Sequence, residues 1–220
     1  MPSTEQPQPV LRWLFFNLLV RPLVLLLIGL NVRDLQRLPK DGPAILIANH
    51  NSHLDTLVLM SLFPGYLLPK LRPVAAADYF LSNRWLAWFA LRVIGILPLN
   101  RDRHGGGSRD PLAGMVEALQ QGQILILFPE GSRGAPEQRQ AFKNGIAHLA
   151  RRMPEVPVTP VFLHGLGKAL PKGEALLVPF FCDAFVGEQL YWSGDRESFM
   201  AGLDRSMQAL GQAGHFPEWR

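Results

Sequence analysis

The sequence predicts an α/β fold, a mostly parallel central sheet flanked by helices, with an N-terminal hydrophobic membrane-associating helical segment ahead of it. Two apolar runs, Ala44–Ala48 (AILIA) and Gln123–Phe128 (QILILF), have the length and composition of strands buried on both faces. Helical spacing recurs between and after such runs, as in Leu54, Leu57, Val58 and Leu62. Apolar strands alternating with helices build parallel sheets covered on both sides. The 220 residues suit one such domain with a sizeable core.

Taken in order, Met1–Pro9 is polar and proline-rich and is expected to be a disordered lead. Val10–Leu30 is roughly long enough to cross a bilayer, but Arg12, Asn17, Arg21 and Pro22 interrupt it. It is expected to break or kink near Pro22 and to lie in the interface, with Arg12 snorkelling toward headgroups; a true span is the alternative. Asn17 and Arg21, four apart, share one helical face. No small-residue cleavage pattern follows Leu30. Leu38–Gly42 reads as a turn, Ala44–Ala48 as a strand, and Ser52 opens a helix ending near Pro64 and Gly65. Pro73–Ala77 is a strand, Asn83–Ile94 a helix, Gly95–Leu99 an extended run and His104–Ser108 a glycine-rich loop. Asp110–Gln120 is helical and Gln123–Phe128 a strand; Gln138–Met153 is helical and Val156–Leu163 a strand. Leu176–Phe185 adds a last strand and Arg196–Leu210 a last helix.

Composition narrows the partners. Hydrophobic residues make up 48% and charged residues 18%, apolar for a soluble enzyme and too polar for a polytopic membrane protein. A net charge of +4 and a pI near 9.6 suit nucleic acid, an anionic membrane surface or an acidic substrate. The apolar N-terminus favours the membrane, and no nucleic-acid partner is expected. The single cysteine, Cys182, excludes an internal disulfide and a multi-cysteine metal site.

In open α/β sheets, chemistry sits beyond the strand C-termini. His50, Arg101 and Glu130 each follow an expected strand. An imidazole serves as general base when another group fixes its tautomer, and Asp55 lies where a first helical turn reaches back to His50. Ser52-x-x-Asp55 is also a capping box, which needs no catalysis; the two roles are compatible in sequence, and whether one carboxylate satisfies both stays open. His50-x-x-His53-x-Asp55 carries three ligand types, but no second ligand pair accompanies it and no metal is expected. In Phe128-Pro129-Glu130-Gly131-Ser132-Arg133-Gly134, Gly131 and Gly134 allow close backbone approach and Arg133 can grip a phosphate. Glu130 can accept from a hydroxyl or orient Arg133. Lys143 supplies another cation on the next helix, and Arg101 after GILPLN is placed as an anion clamp. Each of these alone also fits a turn, a surface charge or a structural salt bridge.

Together, NHNSHLD, GILPLNR, FPEGSRG with FKNG, and VPVTPV, in this order from Ala44 to Val161, resemble the four motifs of the glycerolipid acyltransferases, of which the 1-acylglycerol-3-phosphate acyltransferases are the best-known members. The resemblance implies that His50, within an H-x4-D motif, is the base and Asp55 its orienting partner. It implies an acceptor-binding set of Arg101, Glu130, Gly131, Ser132, Arg133 and Lys143. The VPVTPV segment, with Pro160, would line the acyl or acceptor site. It divides the chain into residues 1–37, the lead and membrane-associating segment, and residues 38–220, the acyltransferase domain. The implied reaction moves a fatty acyl group from acyl-CoA or acyl carrier protein to a lysolipid hydroxyl, with 1-acylglycerol-3-phosphate giving phosphatidate. No cofactor is needed, and the place of work is the cytoplasmic face of the inner or plasma membrane. Asn100 stands where an acidic residue commonly precedes the arginine, and His53 where an aromatic residue is frequent, so another acceptor such as a lyso-ornithine lipid stays open.

Two other classes compete. His104-Gly105-Gly106-Gly107 resembles an esterase oxyanion loop, but no G-x-S-x-G elbow follows a strand, and neither a Walker A nor a G-x-G-x-x-G signature is present. A catalytically silent lipid-binding protein would keep the apolar N-terminus and basic charge without using a His50–Asp55 pair.

Overall fold

The order of elements follows from where the apolar runs fall. In the computed structural model, residues 7–27, 29–52, 54–80, 83–99, 110–131, 140–169 and 181–214 are described. The chain opens with helix α1 (Pro9–Leu14), a π-helical stretch Phe15–Val20 and α2 (Arg21–Leu27). Strand β1 (Leu30–Arg33), β2 (Ala44–Ala48) and α3 (Leu54–Ser61) follow, then a 3₁₀ stretch Gly65–Lys70. Next come β3 (Leu71–Ala76), α4 (Ala77–Phe80), α5 (Arg84–Phe89), a second π-helical stretch Ala90–Ile94 and β4 (Leu97–Leu99). The remainder is α6 (Ala113–Gln120), β5 (Ile124–Leu127), α7 (Gly145–Arg152), β6 (Val158–His164), α8 (Leu166–Ala169), β7 (Cys182–Val186) and α9 (Arg196–Ala213).

Among the described residues the strands form one sheet in the order β1-β7-β6-β2-β5-β3-β4, parallel throughout except for β6 against β7. Successive side chains of a strand point to opposite faces, so each apolar run feeds two cores. Ala44, Leu46 and Ala48 join Phe16, Val20 and Val24 of the N-terminal helix and Val58, Leu59 and Met60 of α3. Ile45 and Ile47 join Met115 and Leu119 of α6, Ile146 and Leu149 of α7, and Phe199 and Leu203 of α9. Both faces of β2 are thus fully covered, which is why AILIA is apolar without alternation.

The N-terminal segment differs from a broken helix with an outward Arg12. The chain stays helical past Pro22. Proline removes its own N–H and its ring crowds the carbonyl four residues back, here that of Leu18. The preceding turn is widened, with the Arg21 N–H bonding the Phe16 carbonyl five residues back, and the helix runs through. Arg12 does not snorkel outward. It is 1% exposed and its Nη2 donates to the Leu71 and Ile94 carbonyls, both at 2.8 Å. Burial and the nearby Arg72 push the Arg12 guanidinium down to about 9, still charged at neutral pH. The Asn17–Arg21 face is as expected: Arg21 Nη1 donates to Asn17 Oδ1 at 2.6 Å, and its Nη2 to the Phe63 carbonyl. Pro9–Leu26 is long and apolar enough to cross a membrane by length and composition. Its outer side leaves Val10, Trp13, Leu18, Leu25 and Leu26 exposed.

Two further differences matter. Strand β1 is unanticipated; it pairs with β7 at the sheet edge, where LNVR alternates between half-buried and exposed. The helix expected over Gln138–Met153 begins only at Gly145, so Lys143 lies on irregular chain before it. The Met1–Pro9 lead falls mostly, and the His104–Ser108 loop wholly, outside the described residues.

Arg12→Ala leaves two buried carbonyls unsatisfied, at a net loss of about 2 kcal/mol or more. Urea or thermal denaturation in detergent is expected to show the midpoint falling; a midpoint equal to wild type contradicts the assigned role of Arg12.

Candidate active site

The sheet register places the site. Ile47 is level with Leu127 on β5, and Ala48 with Val161 on β6, so β2 and β5 deliver their next residues to one edge while β6 runs on to His164 beside them. Just beyond Ala48, the Asn49 side chain donates to the Leu163 carbonyl at 2.8 Å and accepts from the Leu163 N–H at 2.7 Å. This amide pair prolongs the β2–β6 ladder by one step and fixes where the chain turns out of the sheet. His50 comes next. Its ring stacks on Phe128, the residue leaving β5, with centroids 4.1 Å apart and planes 21° apart.

Asp55 completes the arrangement from the first turn of α3. It is fully buried, and its Oδ2 accepts from the Asn51 N–H at 2.6 Å and the Ser52 N–H at 2.8 Å, while His50 Nδ1 lies 2.9 Å away. The bond to the Ser52 N–H is half of a capping box, and the contact with His50 holds the imidazole through Nδ1. One oxygen therefore serves the helix cap and the imidazole together, two roles that the sequence left compatible. Burial pushes the Asp55 carboxyl above the ordinary aspartate range; His50 and the two amides oppose that rise without cancelling it. With Nδ1 held by a carboxylate, Nε2 is the nitrogen left to take a proton from a substrate. The His50 side chain is 21% exposed, so the ring is reachable.

The loop after β5 adds the second half. Glu130 is buried beside the His50 platform, two residues past Phe128. Gly131 has φ 77°, a left-handed conformation that favours glycine, and its amide closes a turn onto the Phe128 carbonyl. A Cβ there would sit 2.4 Å from Lys143 Nζ, so only glycine lets the lysine lie across this turn. The Lys143 amide in turn donates to the Pro129 carbonyl at 2.9 Å. Under this rim lies an apolar cavity of about 290 Å³, lined by Val74, Leu99, Met115, Leu127, Phe128 and Ile146, with Gly131 and Lys143 at its edge. Phe128 is shared: it supports the His50 ring and also walls the cavity.

The structure thus brings His50, Asp55, Glu130, Gly131 and Lys143 to the ends of β2 and β5. Pro160 is placed differently. It sits within β6 opposite Ile47, packed against Gly187, whose amide donates to its carbonyl. Arg101, Ser132, Arg133 and His53 lie outside the described residues. Sequence reasoning missed Phe128 as a ring support, Asn49 as an anchor and the cavity wall. The signal for Phe128 was available, since it is the first residue past a buried strand adjoining the one that carries His50.

Comparison with known proteins places this geometry. A model of the acyltransferase family matches residues 29–164, which span every residue of the dyad and its loop. The chain belongs to the acyltransferase family. It is 30% identical over 145 residues to the chloroplastic 1-acyl-sn-glycerol-3-phosphate acyltransferase LPAT1 of Arabidopsis thaliana, covering 66% of this chain and 38% of that protein. It is 32% identical over 162 residues to Taffazin of Dictyostelium discoideum, covering 68% and 55%. The human 1-acyl-sn-glycerol-3-phosphate acyltransferase alpha is 29% identical, covering 62% and 46%. The match therefore spans about half or less of these relatives' lengths. The fold matches the crystal structure of PlsC, the 1-acyl-sn-glycerophosphate acyltransferase of Thermotoga maritima, with a TM-score of 0.73 at 20% identity, over 94% of this chain and 81% of that one. The residues matched by the family model include His50, Asp55 and Lys143.

Asp55→Asn keeps an oxygen for the two amides but no longer fixes the base, so kcat is expected to fall about 10⁴-fold. The folded-state carboxyl is raised, so its stabilising effect is present at low pH and lost as pH rises through the raised value. Above that value the asparagine variant is expected to be as stable as wild type or more so. Denaturation curves of both proteins against pH check this; a wild type that gains stability over the variant as pH rises contradicts the raised carboxyl.

Proposed function

We propose that this chain is a membrane-associated O-acyltransferase that moves a fatty acyl group from acyl-CoA or acyl carrier protein to the free hydroxyl of a lysolipid, with 1-acylglycerol-3-phosphate as acceptor and phosphatidate as product. The observation that carries this reading is the His50–Asp55 pair standing on Phe128, the wall of an apolar cavity with a cation at its rim. An apolar cavity suits an acyl chain, and Lys143 with the FPEGSRG loop suits a phosphate. The names of the curated relatives support the same acceptor.

The reaction follows from these groups without an acyl-enzyme. His50 Nε2 takes the proton of the acceptor hydroxyl as its oxygen attacks the thioester carbonyl carbon. A new C–O bond forms, the tetrahedral centre collapses, and the C–S bond breaks. The imidazolium, stabilised by Asp55, returns the proton to the leaving thiolate, so ester and thiol leave and the enzyme is unchanged. General-base assistance of this kind contributes about 10²–10⁴-fold, and holding both substrates together supplies much of the rest. In this reading Arg101, Glu130, Gly131, Ser132, Arg133 and Lys143 bind the acceptor headgroup, and the 160 region backs the site from β6. No cofactor takes part. Residues 1–37 form the membrane-associating segment ahead of the catalytic domain at 38–220. In this reading the molecule works at the cytoplasmic face of the inner or plasma membrane, and the exposed leucines of the N-terminal helix support an interfacial seat.

An acyl-transfer panel crossing acyl-CoA and acyl carrier protein donors with 1-acylglycerol-3-phosphate, lyso-ornithine lipid and neutral lysolipids tests this. Phosphatidate formation is expected, with His50→Ala losing turnover by at least about 10²–10⁴-fold while binding vesicles as before. Arg133→Ala is expected to raise the acceptor KM. Transfer only to lyso-ornithine lipid would change the acceptor, no transfer with any pair would favour a silent lipid-binding protein, and near-normal turnover by His50→Ala would sink the mechanism.

A further inference from the structure

Beyond the N-terminal helix, α5 exposes two indoles in a row. Trp85 is 82% exposed and Trp88 45%, and with the exposed Arg84 they line one open groove of about 360 Å³. These indoles are rigidly presented. The Asn83 side chain caps α5 by accepting from the Trp85 and Leu86 amides, at 2.8 and 3.3 Å. At the other end, Ala90, Val93 and Ile94 of the π-helical stretch are buried, and the Ile94 carbonyl receives Arg12 from the N-terminal helix. Phe89 meets Phe15 edge to face, centroids 5.2 Å apart. Phe15 adjoins Leu14 and lies one turn from Leu18 and Leu19, all three exposed. The Trp pair therefore belongs to one solid unit with the apolar outer side of the N-terminal helix.

We infer that α5 is a second membrane contact, with Trp85 and Trp88 seated at headgroup depth and Arg84 on lipid phosphates of an anionic bilayer, and that it fixes the roll of the molecule about its N-terminal helix. The inference rests on the membrane association proposed above. Tryptophan favours the interface because its ring is apolar with one polar N–H, and an arginine next to it finds phosphate there. A body held by one interfacial helix is free to rock about that helix's axis; a contact off the axis removes this freedom. The chain from α5 leads directly to Leu99 of β4, a wall of the cavity beside Phe128. Fixing the roll thus fixes how the cavity mouth meets the lipid. The continuity with exposed leucines favours a bilayer as occupant over a carrier protein.

The test uses the full chain, with sedimentation on vesicles of equal parts phosphatidylglycerol and phosphatidylcholine. Trp85→Ala with Trp88→Ala is expected to weaken binding roughly tenfold. The same variant is expected to lose activity on vesicle-embedded acceptor while keeping it on a monomeric short-chain acceptor. In a Trp13→Phe background, brominated phospholipid is expected to quench fluorescence, and adding Trp85→Phe and Trp88→Phe to abolish most of that quenching. Leu18→Asp with Leu25→Asp serves as the control for the N-terminal helix. If only this control loses vesicle binding, the second contact is overturned while membrane association stands. If the wild type does not sediment with vesicles, membrane association itself fails and the inference with it. Unchanged vesicle binding by the tryptophan variant, with weaker binding of acyl carrier protein, would also overturn the inference in favour of a protein partner.

Discussion

Three hydrogen-bonding partners converge on a single oxygen, Asp55 Oδ2: two backbone amides and the Nδ1 of His50. The geometry of the whole site depends on that junction. The amides of Asn51 and Ser52 tie the start of α3 to the chain leaving β2, so the helix cannot shift without moving His50. Burial makes the carboxylate costly to ionise, and the three donors on Oδ2 offset only part of that cost. The same fixed oxygen then sets the imidazole's orientation against Phe128. The helix cap and the hold on the imidazole share one set of atoms, so neither reading of Ser52-x-x-Asp55 displaces the other.

Around this junction the sheet acts as a ruler. Parallel strands β2 and β5 end in step, and β6 is locked to β2 by the Asn49 side chain standing in for one more backbone pairing. Each face of the sheet then has a separate task. The α6, α7 and α9 face encloses the cavity below Phe128. The opposite face is closed by α3 and by the inner side of the N-terminal helix, through Phe16, Val20 and Val24. That helix is a layer of the core as well as a source of exposed leucines, so loss of its packing would reach the back of the strand that carries His50. The π-helical stretch before Pro22 and the inward Arg12 are the local devices that keep this two-sided helix continuous and attached.

Much of this was legible in the sequence for identifiable reasons. Strands buried on both faces are uniformly apolar, so AILIA and QILILF announced themselves, and strand order implied that His50 and Glu130 share an edge. The ordered motifs then pointed to acyl transfer. Strand β1 escaped because an edge strand of four residues with polar alternation carries almost no periodic signal. Arg12 was misplaced because sequence gives its position on a helix but not the two carbonyls, from residues 71 and 94, that wait for it. The start of α7 was set too early because Ala141–Asn144 fits a helix locally, whereas the Lys143 amide bonds back to the Pro129 carbonyl. The cavity combines residues from β3, β4, β5, α6 and α7, and its shape follows from packing that no linear pattern records.

The central claim is that the His50–Asp55 pair works at the mouth of the cavity behind Phe128. It is tested most directly by a crystal structure with a non-transferable thioether analogue of the acyl donor. The acyl chain is expected to run between Val74, Met115 and Ile146, with the carbon replacing the thioester carbonyl beside His50 and its sulfur within reach of Nε2. A chain bound elsewhere, or a sulfur held on the far side of the sheet from His50, would contradict the account.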